Sequence, residues 1–285
     1  MKVINTIKDL QDELRKLNVS PAGLVPTMGA LHDGHLSLVA RAVKQCRVVV
    51  VSIFVNPTQF NDKDDLRNYP RTIDSDLMLL KNVLREHDLV FNPPESEIYP
   101  EKDTRVFDFG SLGSVMEGLH RPGHFNGVAQ VVSRLFEIAT PDYAYFGQKD
   151  FQQLAIVKEL VRQTGNKVKI IGIPIVREND GLAMSSRNRL LDPVIRKDAA
   201  TIYKTLLSAS AMMKNNDLPE IKEFVRNSID IIPGFKTEYF EIVEENTLVP
   251  VNNRAEILKG HSYRGCIALK AGKIRLIDNI EMPSR

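Results

Sequence analysis

Hydrophobic positions along the chain follow two different periods. Near the amino end Ile4, Ile7, Leu10, Leu14 and Leu17 recur every three or four residues, the stripe of an amphipathic helix lying on a core. Short apolar runs follow at 23–25, 48–55, 89–91, 143–146 and 168–176. They are apolar on both faces, as parallel strands covered by helices on each side must be. Between them 36–46, 73–86, 128–139 and 151–163 read as helices. Alternation of strand and helix over the first 176 residues predicts an α/β fold, a doubly wound parallel sheet. Residues 104–109 read either as one more strand or as an excursion from the sheet.

After residue 176 the texture changes. The stretch RENDGLAMSSRNRLLDP has no apolar period, and its Asp192-Pro193 reads as a helix start, so this is expected to be a mobile linker. Beyond it 194–213 and 218–231 look helical, while 236–243 and 266–277 look like strands, the latter turning at Ala271-Gly272. The expected division is a domain over 1–176 and a smaller α+β domain over 177–285. A length of 285 residues fits about two folding units.

Charge narrows the function. Thirty-eight Lys and Arg against 36 Asp and Glu leave +2, too balanced for a chain that wraps nucleic acid or coats an anionic membrane by bulk electrostatics. Any anion must be held at a local site. With 43% hydrophobic and 26% charged residues the composition is globular. The longest nearly apolar run, VVVVSIFV, has eight residues where a membrane helix needs about 20. The first 18 residues mix charges with apolar positions and hold no signal-peptide core. Cys46 and Cys266 are isolated, which excludes a zinc site built on C-x-x-C spacing and makes a reducing, cytoplasmic setting the expectation.

Five motifs carry candidate chemistry. PTMGALHDGHLSLV directly follows a predicted strand and opens a crossover helix, the place where unpaired helix N–H groups meet anions in an open α/β sheet. If that helix begins near Asp33, His32 and His35 lie on one side of its first turn, and Gly34 lets a planar group approach the backbone. A structural or metal-binding histidine pair is the competing reading of H-x-x-H taken alone. SIFVNPTQF places the neutral amides Asn56 and Gln59 at the end of the next strand, suited to hydroxyl and carboxylate groups of a small substrate, although Asn56-Pro57 also reads as a plain turn. DLRNYPRT follows with Arg67, Tyr69 and Arg71. GLHRPGHFNGVAQVV clusters Arg121, His124 and Asn126 among glycines as an ordered polar loop or an ordinary surface loop. YFGQKDFQQL gives Gly147 for close approach of a ribose, Lys149 as a point charge for phosphates and Asp150 as an acceptor from sugar hydroxyls, or else a solvated surface pair. GLAMSSRNRLL supplies Ser185, Ser186 and Arg187 as donors for a closing phosphate clamp, or a solvated linker.

The His-x-Gly-His turn after the first strand and the M-S-S-R segment after the last resemble the nucleotidyltransferase superfamily. Within it, PTMGALHDGH, SIFVNPTQF, DLRNYPRT, RPGHFNGV, FGQKDFQQ and DGLAMSSRN occur in the order and approximate spacing of the pantoate–β-alanine ligase (pantothenate synthetase) family, and the carboxyl-terminal third resembles it mainly through RLIDN. The resemblance implies a Rossmann-like sheet with a lid-like second domain. It implies ATP-dependent condensation of (R)-pantoate with β-alanine to pantothenate, AMP and pyrophosphate through a pantoyl adenylate, with Mg²⁺ on the phosphates, in a cytoplasmic homodimer. Carried over by motif, Met28, Gly29, Ala30, Leu31, His32, Asp33, Gly34 and His35 would surround ATP, with His35 nearest the phosphates. Gly147, Gln148, Lys149 and Asp150 would take ribose and phosphate, and Val176 would lie against adenine. Met184, Ser185, Ser186 and Arg187 would close over the triphosphate. Gln59 and Gln153 would hold pantoate, with Asn56, Tyr69 and Arg121 nearby. His32, His35, Lys149 and Arg187 are the expected catalytic groups, and no metal held by the protein is expected. No Ser or Cys nucleophile motif is present, so no covalent acyl-enzyme is expected. A nucleotide adenylyltransferase would share the histidine turn but have no use for the Asn56–Gln59 and Arg121–Asn126 loops.

Overall fold

A computed structural model describes residues 1–284, which group into two compact units. The first comprises Met1–Phe109, His120–Gln148 and Gln153–Pro174. It is built on six parallel strands, β1 (Lys2–Ile4), β2 (Ala22–Thr27), β3 (Val48–Ile53), β4 (Leu89–Phe91), β5 (Tyr143–Gly147) and β6 (Lys169–Ile173), in the spatial order β1-β4-β3-β2-β5-β6. Every residue of β3 is buried, because crossover helices cover both of its faces. Leu38, Val39 and Ala42 of helix Asp33–Gln45 pack in one cluster with Val25, Val49 and Val51. Each fully buried valine or leucine side chain of this kind contributes roughly 1.5–3 kcal/mol.

The stripe from Ile7 to Leu17 forms the expected helix, capped by Thr6, whose hydroxyl accepts from Asp9 N, and ended by Asn18 in the left-handed region. Ile4, however, belongs to β1, which pairs with β4 and is too short to show a period of its own. The helix expected over 73–86 stops at Lys81. Residues 104–109 form no strand: Asn126 and Gln130 of helix His124–Ala139 take the backbone groups of Arg105 and Phe107 that a neighbouring strand would have used. That helix begins four residues earlier than expected and so includes the glycine-flanked His124 and Asn126.

The second unit comprises Gly110–Leu119, Lys149–Gln152 and the described residues from Ile175 onward. Its sheet is antiparallel, β7 (Phe235–Glu244), β8 (Tyr263–Ala271) and β9 (Ile274–Met282), with β8 and β9 joined at the expected Ala271-Gly272 turn. Ile202 and Leu206 of helix Thr201–Met212 and Ile221, Val225 and Ile229 of helix Leu218–Asp230 pack with Phe240, Ile242, Ile267 and Leu269 of this sheet. The helix expected over 194–213 is two, Pro193–Asp198 and Thr201–Met212. The two short inserted segments have a local cause. Gln152 accepts from Glu117 N (2.9 Å) and donates to the carbonyls of Leu112 and Val115, while the buried Glu117 carboxylate accepts from Arg275 and from the Tyr239 hydroxyl, each at 2.7 Å. Among the described residues no helix is long and apolar enough to cross a membrane.

Candidate active site

In the first unit β2 lies between β3 and β5, where the strand order reverses, and such a crossing point opens a crevice beyond the carboxyl ends of the strands. The chain leaves β2 at Thr27 and turns through Gly29 (φ 78°) and Ala30 (φ 48°). Left-handed backbone at an alanine costs about 1–2 kcal/mol and must be held. Asp76, 1% exposed, holds it: its carboxylate accepts from Ala30 N (2.9 Å) and Leu31 N (2.8 Å), and from the Thr72 hydroxyl (3.2 Å). From the other side Thr27 Oγ1 donates to Ser52 O (2.8 Å) and accepts from Gly29 N (3.2 Å). Helix Asp33–Gln45 then starts three residues before the 36–46 expected from the apolar period, at the Asp33 on which the pairing of His32 with His35 depends, with half-buried Gly34 and exposed Asp33 in its first turn. The His32 and His35 rings face one another, centroids 4.1 Å apart and planes inclined by 38°.

Beside this turn, in the same unit, the carboxyl end of β3 leads into Asn56 and Gln59, both buried. Asn56 Nδ2 donates to Gln59 Oε1 (3.1 Å) and Gly127 O (3.0 Å), and its Oδ1 accepts from the Tyr99 hydroxyl (2.9 Å). Gln59 Nε2 lies 3.1 Å from Met28 Sδ, which joins the amide corner to the histidine turn. His124 Nδ1 donates to Gln59 O (2.8 Å), and its Nε2 accepts from Arg121 Nη1 (3.0 Å); a carbonyl only accepts and a guanidinium only donates, so the proton sits on Nδ1. Tyr69 is buried against the edge of Phe60. Helix His124–Ala139 approaches so closely that a Cβ on Gly127 would lie 2.4 Å from Thr58 O and 2.8 Å from Gln59 N. Gly127→Ala is therefore expected to displace Gln59 and to lower stability by about 1–3 kcal/mol, the range for overpacking, which urea unfolding measures.

At the end of β5 a Cβ on Gly147 would meet open space, so nothing in the protein's own packing demands glycine there. Gln148 N donates to Ile173 O (2.8 Å), and Gln153 is half-buried in the first turn of helix Phe151–Thr164.

Within the second unit Lys149 is half-buried and Asp150 exposed, and the Lys149 carbonyl accepts from Asn279 Nδ2 of β9 (3.0 Å). Val176 O accepts from Met184 N (3.0 Å), Glu178 N donates to Leu182 O, and Arg177 bridges to Ala183. Ser185 caps the short helix Ser186–Leu190, accepting from Arg187 N (3.3 Å); Ser186 and Asn188 are buried, and Asn188 donates to Glu178 (2.6 Å) and Ala183 O (3.1 Å). The stretch read as a mobile linker is thus a bonded hairpin and helical turn, whose order comes from backbone pairing that leaves no hydrophobic period.

The first unit brings together Met28 through His35 with Asn56 and Gln59; the second ties Lys149 and the 176–187 hairpin to β9. Sequence reasoning missed Asp76, whose partners lie 45 and 46 residues away. It also missed Gly127, although its motif was singled out, and assigned no role to Asn279 within RLIDN. Among the described residues no group of three or more His, Cys, Asp or Glu side chains could hold a metal ion.

The pantoate-beta-alanine ligase family profile matches residues 2–281. The pantothenate synthetases of Bacteroides thetaiotaomicron and Bacteroides fragilis are 52% and 53% identical to this chain, over 99% of each sequence. The crystal structure of pantothenate synthetase from Thermus thermophilus superposes with a TM-score of 0.91 at 41% identity, covering 99% of both chains. That of the pantoate-beta-alanine ligase from Francisella tularensis, complexed with beta-gamma ATP and beta-alanine, gives 0.81 at 35% identity over 99% of this chain and 98% of that one.

Proposed function

The chain belongs to the pantoate–beta-alanine ligase family, and from that premise we propose that it condenses (R)-pantoate with β-alanine, using ATP and releasing AMP and pyrophosphate, to make pantothenate. The observation that carries the reading is the juxtaposition, at the reversal point of the sheet, of a histidine-paired helix start with a buried amide corner: His32 and His35 on one side, Asn56 and Gln59 on the other, joined through Met28. The first is suited to a polyanion, the second to the hydroxyls and carboxylate of a small acid.

The chemistry asks for charge and alignment. A pantoate carboxylate oxygen attacks the α-phosphorus of ATP, a bond forms to phosphorus and pyrophosphate leaves. The β-alanine amine, uncharged, then attacks the activated carbonyl; the C–N bond forms, AMP leaves, and the amine loses its proton. The first step brings two anions together, so the protein's part is to hold cationic and N–H donors where charge builds up. We assign that part to His32, His35, Lys149 and Arg187, with Met28, Gly29, Ala30, Leu31, Asp33 and Gly34 forming the turn and helix start around the nucleotide. Gly147, Gln148, Asp150 and Val176 take its ribose and base, and Met184, Ser185 and Ser186 its phosphates. Gln59 and Gln153 hold pantoate. Asn56 and Arg121 set the position of Gln59, and Tyr69 lines the same side. Mg²⁺ enters on the triphosphate of the nucleotide, where it neutralises phosphate charge; with its preference for phosphate oxygens and water it needs no dedicated cage of side chains. The reading includes a homodimer in the cytoplasm, in keeping with two free buried cysteines.

Pantoate-dependent exchange between ATP and pyrophosphate without β-alanine, and AMP release only when β-alanine is added, are the expected outcomes of an omission series. Exchange that proceeds without pantoate, or AMP release that needs neither acid nor amine, would overturn the reading.

A further inference from the structure

The RLIDN stretch lies on β9, far along the chain from the other motifs, and the reaction described above leaves it without a task. Its Asp278 and Asn279 are 4% and 2% exposed. Asn279 Nδ2 donates to the carbonyl of Lys149 (3.0 Å), and Asn279 Oδ1 accepts from Arg264 Nη1 (3.0 Å). A guanidinium can only donate and a carbonyl can only accept, so the amide has one permissible orientation. Arg264 is itself fixed, by Glu245 at 2.7 Å and by stacking on Phe151, its guanidinium carbon 4.6 Å from the ring centroid. The turn that bears Lys149 is thus gripped at residue 149 by Asn279 and at residue 151 by Arg264.

The neighbouring residue grips the other phosphate segment. Asp278 accepts from Arg177 Nη1 (2.7 Å) and Nη2 (3.0 Å), and Arg177 Nη1 also donates to Gly181 O (3.1 Å) inside the 176–184 hairpin. Arg177 Nη2 reaches Asn279 O (3.3 Å), and the backbone N–H of Asn279 closes the corner on Asp278 Oδ1 (2.7 Å). Two adjacent side chains on one strand therefore fix two segments that are distant in sequence, the Lys149 turn and the base of the Met184–Arg187 segment.

We propose that Asp278 and Asn279 are positioning residues for the phosphate chemistry: Asn279, through the Lys149 carbonyl, sets where the Lys149 ammonium points, and Asp278, through Arg177, keeps the hairpin in register with it. This rests on the role given to Lys149 above. A transition-state contact is sensitive to placement, since a displacement of about 1 Å can cost a hundredfold. A structural brace would act on stability alone.

The test is a cycle of Asn279→Asp and Lys149→Ala, read by pantoate-dependent ATP–pyrophosphate exchange, with thermal unfolding of each full-length variant. Asn279→Asp keeps an acceptor for Arg264 and loses the donor to Lys149. Expected is a fall in kcat of about ten- to a hundredfold with the KM for pantoate within about twofold, and no more than about a twofold further loss when the change is made in Lys149→Ala, because contacting residues couple while independent ones add. Asn279→Ala, which puts no new charge beside Asp278, should behave likewise. Ser210→Ala, which removes a bond to the β9 backbone at Glu281, should leave turnover unchanged. Equal fold losses from the Asn279 change in both backgrounds would overturn the proposal, as would wild-type turnover in Asn279→Asp, or loss of the fold in both Asn279 variants. Should Lys149→Ala itself turn over normally, the assignment of Lys149 falls first; a crippled Lys149→Ala beside an active Asn279→Asp would sink the positioning role alone.

Discussion

Lys149→Ala is expected to lower kcat for AMP release by about a hundred- to a thousandfold, the cost of removing one preorganised contact to charge that develops in the transition state, while the protein stays folded. Lys149 is half-buried in the turn that follows β5, so truncation opens no cavity in either core. The turn itself is held through the residue's carbonyl, which alanine retains. The loss should therefore fall on chemistry. Adenylation drives an anionic carboxylate into an anionic phosphate, and a point charge on a flexible stem suits a phosphoryl group that moves as bonds change. Lys149→Arg keeps the charge on a longer, planar fork and should recover only part of the rate. Near-UV circular dichroism and steady-state AMP release measure the two halves of the expectation. Turnover within a few-fold of the parent would remove Lys149 from the reaction.

Much of this site was legible because its parts are local. The strand, turn and helix around Pro26–Val39 announce themselves by one apolar run, a glycine and a helical stripe, and His32 and His35 fall on one side of the helix start. The amides Asn56 and Gln59 stand at a strand end for the same reason. What escaped is what depends on contact between distant segments. Asp76 sits on an amphipathic helix beside Asp74, where an aspartate reads as surface. Its burial follows from the way helix Ile73–Lys81 crosses the turn after β2. Gly127 looks like one more loop glycine, yet its necessity comes from Thr58 O, 69 residues back. The membership of Gly110–Leu119 in the second unit has no local signature at all, being set by Gln152 and by Arg275. Hydrophobic period encodes which face is buried; it carries no record of which buried partner waits there.

Asp76→Ala is expected to reduce stability by about 3 kcal/mol, the scale of removing hydrogen bonds from two buried backbone amides to one charged acceptor, and to raise the KM for ATP at least about tenfold. The carboxylate serves both Ala30 N and Leu31 N, and Ala30 is held at φ 48°, a conformation it would leave once that acceptor is gone. The turn that follows β2 would then shift, and the placement of His32 and His35, which hangs on the same turn, would go with it. The amide corner should be spared, because Asn56 and Gln59 are fixed independently by Gly127, His124 and Tyr99. Hence the KM for pantoate is expected to stay within about twofold. Asp76→Asn separates the charge from the shape. It retains one acceptor oxygen but turns an NH₂ toward the other amide, so donor meets donor, and about half of the stability loss should remain. Urea unfolding with separate titrations of the two substrates reads all of this; equal changes in both KM values would mean that Asp76 supports the whole unit rather than the nucleotide turn.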